Sequence, residues 1–370
     1  MSLQRQVLIW AGVLASLLYA VYLLGSTVTP FAAGLALGYL LDPVVLRLER
    51  VGLSRLAASL LILGAFVLVI ALLLVTVAPI LANQLIGFTQ KLPGYVMKLQ
   101  SLAVEEGTAL VNKYGGAWRD SFGLGASFSA EQIQKTVGDF VTEGAQWLLD
   151  AARSLVTGSA AILDFFSFLI VTPVVAFYIL VDWDKMIETI DSWLPLDYRD
   201  SLRKIAREIN EALSGFIRGQ SLVCLFLGIW YGVGLTLIGL DFGFLIGVVG
   251  GVLSVVPYVG SLTALVLALA VALVQDWPSL KLFLLALALV GAGQFLEGYV
   301  ISPMLVGESI GLHPVWLMFA LFAFGGLFGF AGLLIAVPAA AMLGVLVRHL
   351  LGVYLASPLY RGGGEVETPS

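Results

Sequence analysis

Charge is scarce in this 370-residue chain: Asp, Glu, Lys and Arg make up 12% of it, against about 25% in an ordinary soluble domain. With 60% apolar residues and a mean hydropathy of +1.01, too few polar side chains remain to coat a water-facing surface. A soluble globular enzyme and a disordered chain are excluded on that count. The net charge of −5 forms no basic patch, so no nucleic-acid partner is expected. One cysteine, Cys224, lies inside an apolar run, which leaves neither a disulfide framework nor a CxxC metal site. The two histidines, His313 and His349, fall at predicted membrane edges, and HExxH is absent. There is also no Ser–His pairing within the bilayer and no Walker A sequence, so ATP-driven transport would need a separate subunit. We therefore expect no enzyme, no metal and no cofactor, but an all-α, polytopic helical protein whose main partner is the lipid bilayer.

Long apolar runs are what the chain has in quantity. The first, Val7 to Leu24, is longer than the roughly 7–15 residues of a signal-peptide core. No small-residue cleavage site follows it, so it reads as an uncleaved helix. Further spans are predicted from Phe31 to about Leu46, Leu56 to about Leu81, Leu155 to Val181, Leu213 to Leu237 and Leu280 to Leu305. All but the 16-residue Phe31–Leu46 meet the requirement of about 20 apolar residues, and that one falls just short.

Two more segments have a different texture. Phe244–Val274 is interrupted by Gly250, Gly251, Pro257 and Gly260, and Val315–Val347 by Gly325, Gly326, Gly329, Gly332 and Pro338. Two full crossings with a turn need about 40 residues, so each segment is a single kinked span or a re-entrant hairpin. The hairpin is the reading adopted, giving about six full spans plus two broken segments. Gly219-Gln220 precedes Ile238-Gly-Leu240, and Gly293-Gln294 precedes Ile310-Gly-Leu312, each ahead of one broken segment. With hairpins these units are antiparallel, an inverted repeat of the kind that builds a transporter's midplane site.

Basic residues set the orientation. Arg5, then Arg47, Arg50 and Arg55, then Lys185, Arg199, Arg203, Lys204 and Arg207, and finally Arg348 and Arg361 fall on one side. The loops 25–30 and 274–280 carry no Lys or Arg. By the positive-inside rule both termini are cytoplasmic. The chain then divides into N-terminal transmembrane helices (1–85), an extracytoplasmic amphipathic helical segment (86–154), a transmembrane helix (155–182), cytoplasmic amphipathic helices (183–212), a transport core with both broken segments (213–356) and a disordered tail (357–370). In the second of these, Ser129-Ala-Glu-Gln132 reads as a capping box. The helix it opens would lie on the membrane or on a neighbouring subunit, or act as a lid. Leu202, Ile205, Ile209, Leu213 and Phe216 form an apolar stripe running into the next span.

Ionisable groups inside spans are Asp42, Asp164, Arg218 and Glu297, with Gln220 and Gln294 as neutral companions. A charge at the bilayer centre costs about 2.5–3.5 kcal/mol on insertion scales, so such groups face a cavity or a partner. Asp42 reads as an interface pair with Arg47 and Arg50, whereas Asp164 has no basic neighbour in sequence. Arg218 is placed to snorkel. Glu297 follows Gln294 on the same helical face and precedes the helix-breaking Pro303; functional and structural readings of it both stay open.

Asn210-Glu-Ala-Leu-Ser-Gly-Phe-Ile-Arg-Gly-Gln220 resembles the N-x-x-L-x-x-[FY]-x-x-G-Q segment of the autoinducer-2 exporter family of bacterial permease-like proteins. Pro257-Tyr-Val-Gly260 resembles that family's break. Gln294 through Pro303, Gly307, Leu312-His-Pro314 and Gly329 through Pro338 follow in the family's order and spacing. The resemblance covers about residues 200–347. It implies a multi-pass protein of the bacterial inner membrane, forming a homo-oligomer with five subunits as a working guess. The activity it implies is transport of small solutes: export of the autoinducer-2 quorum-sensing signal, or sodium–proton antiport through an intramembrane carboxylate. A non-transporting membrane scaffold is the third reading. The expected path is lined by Gln220, Gln294, Glu297 and Asp164, with breaks and hinges at Pro257, Gly260, Pro303, Gly329, Gly332 and Pro338.

Overall fold

The computed structural model describes residues 29–122, 159–305 and 313–357, with 143, 146 and 360. The predicted first span, the capping box at Ser129, the Ile310-Gly-Leu312 half of the repeat and the tail lie outside the described residues. Within them the chain is helical and without strands: α1 (Thr29–Arg50), α2 (Arg55–Phe122), α3 (Ser159–Ser192), α4 (Arg199–Leu237), α5 (Gly243–Leu253), α6 (Val259–Asp276), α7 (Lys281–Leu296) and α8 (Pro314–Ala356). A π-helical turn, Glu297–Ile301, and a last α-turn, Ser302–Leu305, extend α7. Seven of the described helices are long and apolar enough to cross a membrane. The fold is that of a polytopic helical membrane protein.

Helix α2 is the largest departure from the expected layout. Its 68 residues, at 1.5 Å each, extend for about 100 Å, three times a hydrocarbon core. No helix end falls near residue 85, and Pro79 and Pro93 are carried inside it. The polar residues beyond that point therefore continue a spanning helix rather than opening a new one.

The chain forms two compact units. The first takes residues up to Leu68, Phe166–Leu222 and Val300 onward. Here Gly34 and Gly38, one turn apart, let α1 lie directly on α3. A Cβ on Gly34 would come 2.7 Å from Val175 Cβ, and one on Gly38 2.9 Å from Ile179 Cγ2. This is the small-residue packing that replaces the hydrophobic effect between helices in lipid. Leu37, Leu41, Val45, Ala58, Leu63, Ala176 and Leu180 form the buried cluster beside it. Ser54 starts α2 by accepting the Ala57 N–H through its hydroxyl at 3.3 Å. The α3–α4 connection is pinned by Asp191, which takes Arg203 Nε and Nη2 at 2.7 Å each and a further bond from Arg199.

The second broken segment belongs to this unit and is a hairpin. Gly329, at φ 61° and ψ −140°, occupies backbone that a side chain does not tolerate, and the helix reverses there. The arms, Val315–Gly329 and Gly332–Ala356, fold back so that a Cβ on Gly332 would run into the Phe324 carbonyl. Pro338, expected as a break, lies inside the second arm, which continues through it. A proline removes one donor and bends a helix, but the flanking bonds hold when the surrounding arm is packed, as Ala336, Val337, Ala340 and Ala341 are.

The second unit takes Val69–Phe165 and Val223–Tyr299 and contains the other hairpin, α5–α6. The reversal is the Ser254–Tyr258 turn, with Pro257 inside it and Tyr258 at φ 68°. Gly260, expected as part of the break, is instead in the first turn of α6. A Cβ there would collide with the Gly250 carbonyl and Ser254, so its role is to let the two arms touch. Gly250 and Gly251 are likewise within α5 and do not interrupt it. On the opposite face, Gly247 and Gly251 of α5 meet Gly232 and Gly228 of α4, backbone against backbone.

The α4–α5 loop is held from two sides. Lys91 Nζ and Tyr95 Oη of α2 both donate to Asp241 Oδ2, at 2.8 and 2.9 Å, while Lys91 also sits over the Phe242 ring. Gln275 accepts from Asp241 N and donates to the Gly239 carbonyl, each at 2.8 Å. Gln84 of α2 caps α5 by accepting the Leu245 N–H at 2.8 Å. The Lys91 bond, aided by Tyr95, holds the Asp241 carboxyl below the ordinary aspartate range, against the opposing effect of burial.

Candidate functional site

Two polar sites are built into the described helices, one in each unit. In the second unit, α7 runs apolar from Lys281 until Gln294, whose Nε2 donates to Glu297 Oε2 at 2.9 Å. Glu297 opens the π-helical turn, and the cause lies just beyond it. Pro303 has no N–H for the Tyr299 carbonyl, and its ring would clash there, so the helix widens over 297–301. Pro303 thus acts on helix register one turn before itself. Across from this turn, Tyr231 of α4 is fully buried, and its ring fills the place a side chain at Gly293 would occupy. Trp230 Nε1 donates to the Leu289 carbonyl at 3.1 Å and fixes α4 against α7. Among the described residues no Lys or Arg pairs with Glu297, so its partner is a neutral amide.

The first unit contains the other site, a cavity of about 50 Å³ between α1, α3 and α4. Tyr39 and Asp42 come from α1, Trp183 from α3, and Asn210, Ser214 and Arg218 from α4. That volume admits a few water molecules or a small polar group. Tyr39 and Trp183 meet edge to face, with centroids 5.4 Å apart. Arg218 Nε donates to the Tyr39 carbonyl at 3.1 Å. Asp42 faces Arg55 Nη2 at 3.5 Å, while Arg55 makes its short contacts elsewhere: Nη1 to Asp184 Oδ2 at 2.6 Å and Nε to the Leu180 carbonyl at 2.7 Å.

This corrects the expected partner of Asp42. Arg47 and Arg50 are exposed, and Arg55, across the turn at the start of α2, takes their place. The helical repeat explains it, because Arg47 is five residues on and about 140° around the helix from Asp42. Arg218 was expected to snorkel and instead lines the cavity.

The other expected path residues stand as follows. Gln220 is 9% exposed in α4, within the first unit. Asp164 lies on α3, but its side chain is outside the described residues. Pro257 and Gly260 belong to the hairpin turn of the second unit, and Gly329 and Gly332 to that of the first. The residues that sequence reasoning missed are Asn210, Ser214 and Arg55. For the first two a signal existed: with Arg218 they recur every four residues, a polar stripe on an amphipathic helix. Among the described residues no three His, Cys, Asp or Glu side chains gather as a metal site would require.

A model of the family described as "AI-2E family transporter" matches residues 11–352. In Bacillus subtilis, "Putative transport protein YrrI" is 28% identical over 360 residues, 94% of this chain and 97% of that relative. A second protein of that organism, "Putative transport protein YueF", is 26% identical over 82% of this chain and 79% of its own length. "Putative permease PerM" of Escherichia coli is 26% identical over 89% of this chain and 88% of its own length.

Proposed function

Because the chain belongs to the AI-2E transporter family, we propose that it is a secondary transporter exporting a small organic molecule, with autoinducer-2 as the first substrate to test. Membrane transport is the function its family carries; the solute and the coupling are the proposal. The observation that supports it most is the Gln294–Glu297 hydrogen bond at a π-helical turn inside a spanning helix. A carboxyl group within a spanning helix is costly and by default marks a solute or proton path. π-helical turns inside α-helices are also frequent at functional sites. Gln220, Gln294, Glu297 and Asp164 are the proposed lining, and the two hairpin turns with Pro303 are the proposed hinges.

Cation–proton antiport is the second reading, and the neutral partner of Glu297 favours it. A carboxylate held by an amide rather than a cation is free to exchange a proton for an ion. We place the protein in the bacterial inner membrane with the basic loops cytoplasmic, as a homo-oligomer. In proteoliposomes the Glu297→Gln variant is expected to insert normally and to lose transport or its pH dependence. Unchanged flux at every pH refutes the role of Glu297. Sodium added to acid-loaded vesicles separates the two readings: collapse of the pH gradient indicates antiport, and a steady gradient with solute flux indicates export. No flux of any solute, with a stable protein partner, indicates a scaffold.

A further inference from the structure

The cavity of the first unit holds two opposite charges that do not pair with each other. Asp42 and Arg218 both line it, yet among the described residues the one hydrogen bond from Arg218 goes to the Tyr39 carbonyl, and no carboxylate lies within ion-pair distance of it. Among the described residues Asp42 has one ion pair, to Arg55 Nη2 at 3.5 Å, too long for a hydrogen bond, while Arg55 Nη1 goes to Asp184 at 2.6 Å. Each charge thus keeps bonding capacity that no described residue fills. A guanidinium and a carboxylate that share a small cavity without closing on each other leave room for a ligand bearing the complementary pair. Asn210 and Ser214 add an amide and a hydroxyl to the lining, and Trp183 an aromatic ring.

We propose that this cavity is a binding site for a small zwitterion, with Asp42 receiving its ammonium and Arg218 its carboxylate. A cation alone would be repelled by Arg218 and an anion alone by Asp42, so neither single charge matches both walls. The volume of about 50 Å³ restricts the ligand to a short one, with the two charged groups a carbon or two apart. Binding here is independent of Glu297 and does not require that the same solute be transported.

The test uses the full chain in nanodiscs with Cys224→Ala, which removes the one native cysteine. Ile179→Cys, an apolar lining position, then reports access to the cavity through its labelling rate with a small neutral thiosulfonate, and Trp183→Cys is a second reporter should the first not fold. Glycine is the probe; acetate, ethylammonium and glycerol are the comparisons. At twice its Kd glycine leaves a third of the sites free, so labelling is expected to slow about threefold. The three comparison solutes are expected to leave the rate unchanged, and Asp42→Asn to abolish the protection by glycine. Labelling that glycine does not slow overturns the proposal. So does equal protection by glycerol or by either single ion, and so does a folded reporter that never labels at either position.

Discussion

The glycine-to-glycine contact between α4 and α5 makes the sharpest quantitative prediction. Gly247 of α5 lies so close to α4 that an added Cβ would sit inside the van der Waals shell of the Gly232 and Tyr231 backbone. No rotamer change relieves a clash with main chain, so Gly247→Ala must push the two helices apart. Overpacking of this kind costs about 1–3 kcal/mol or more, and the separation also loosens the neighbouring Gly251–Gly228 contact. Gly291 on α7 is the control, because a Cβ there meets nothing within 4 Å. With no clash, Gly291→Ala gains about 0.4–1 kcal/mol by restricting the unfolded chain. The two substitutions add the same methyl group and should move stability in opposite directions. The assay is thermal unfolding in nanodiscs, followed by intrinsic fluorescence and by recovery of monodisperse protein. A Gly247→Ala protein as stable as the parent would refute the close α4–α5 packing and with it the hairpin geometry of α5.

Arg55→Met strips the cation from Asp42, Asp184 and Glu49 together and should cost about 1–2 kcal/mol, whereas Arg47→Met on the exposed side should be near neutral in the same unfolding assay. Asp241 titrates below its ordinary value when folded, so its bonds to Lys91 and Tyr95 contribute fully above about pH 4 and fade as pH falls through the lowered value. The stability difference between the parent and Asp241→Asn should therefore be largest at neutral pH and shrink on acidification; a difference that grows toward low pH contradicts the assignment. Pro303→Ala should restore α-helical register over 297–301, moving Glu297 relative to Gln294. Labelling of cysteines introduced along that turn would report the change in register, and transport should fall without loss of the folded protein.

The described spans and hairpins were legible because they rest on local chemistry, and the family through the resemblance of its motifs. Apolar runs must be helical in lipid, Pro257 cannot continue a regular helix, and Gly329 stands where a side chain would be strained. What stayed hidden depends on which faces meet. Gly250, Gly251 and Gly260 were read as breakers, yet glycine serves close packing as well as reversal, and only the neighbouring helix distinguishes the two. Arg55 was assigned to a loop with Arg47 and Arg50, because nothing in a linear pattern says that the chain doubles back to place it against Asp42. The length of α2 was underestimated for a related reason: polar residues after Leu81 suggested an exit from the membrane, while helix continuity depends on backbone bonds that polarity does not break. The π-turn at Glu297 was foreshadowed by Pro303, but its placement ahead of the proline, rather than at it, follows from the missing i−4 bond.

The central claim is that the protein moves a small solute across a membrane through a path that includes Glu297. Everted inner-membrane vesicles loaded with the parent protein, the Glu297→Gln variant or neither provide the most direct measurement. Saturable accumulation of autoinducer-2 is expected to depend on the parent protein and to be lost, or to lose its pH dependence, in the variant. Accumulation equal to that of vesicles without the protein, or identical in parent and variant at every pH, would contradict it.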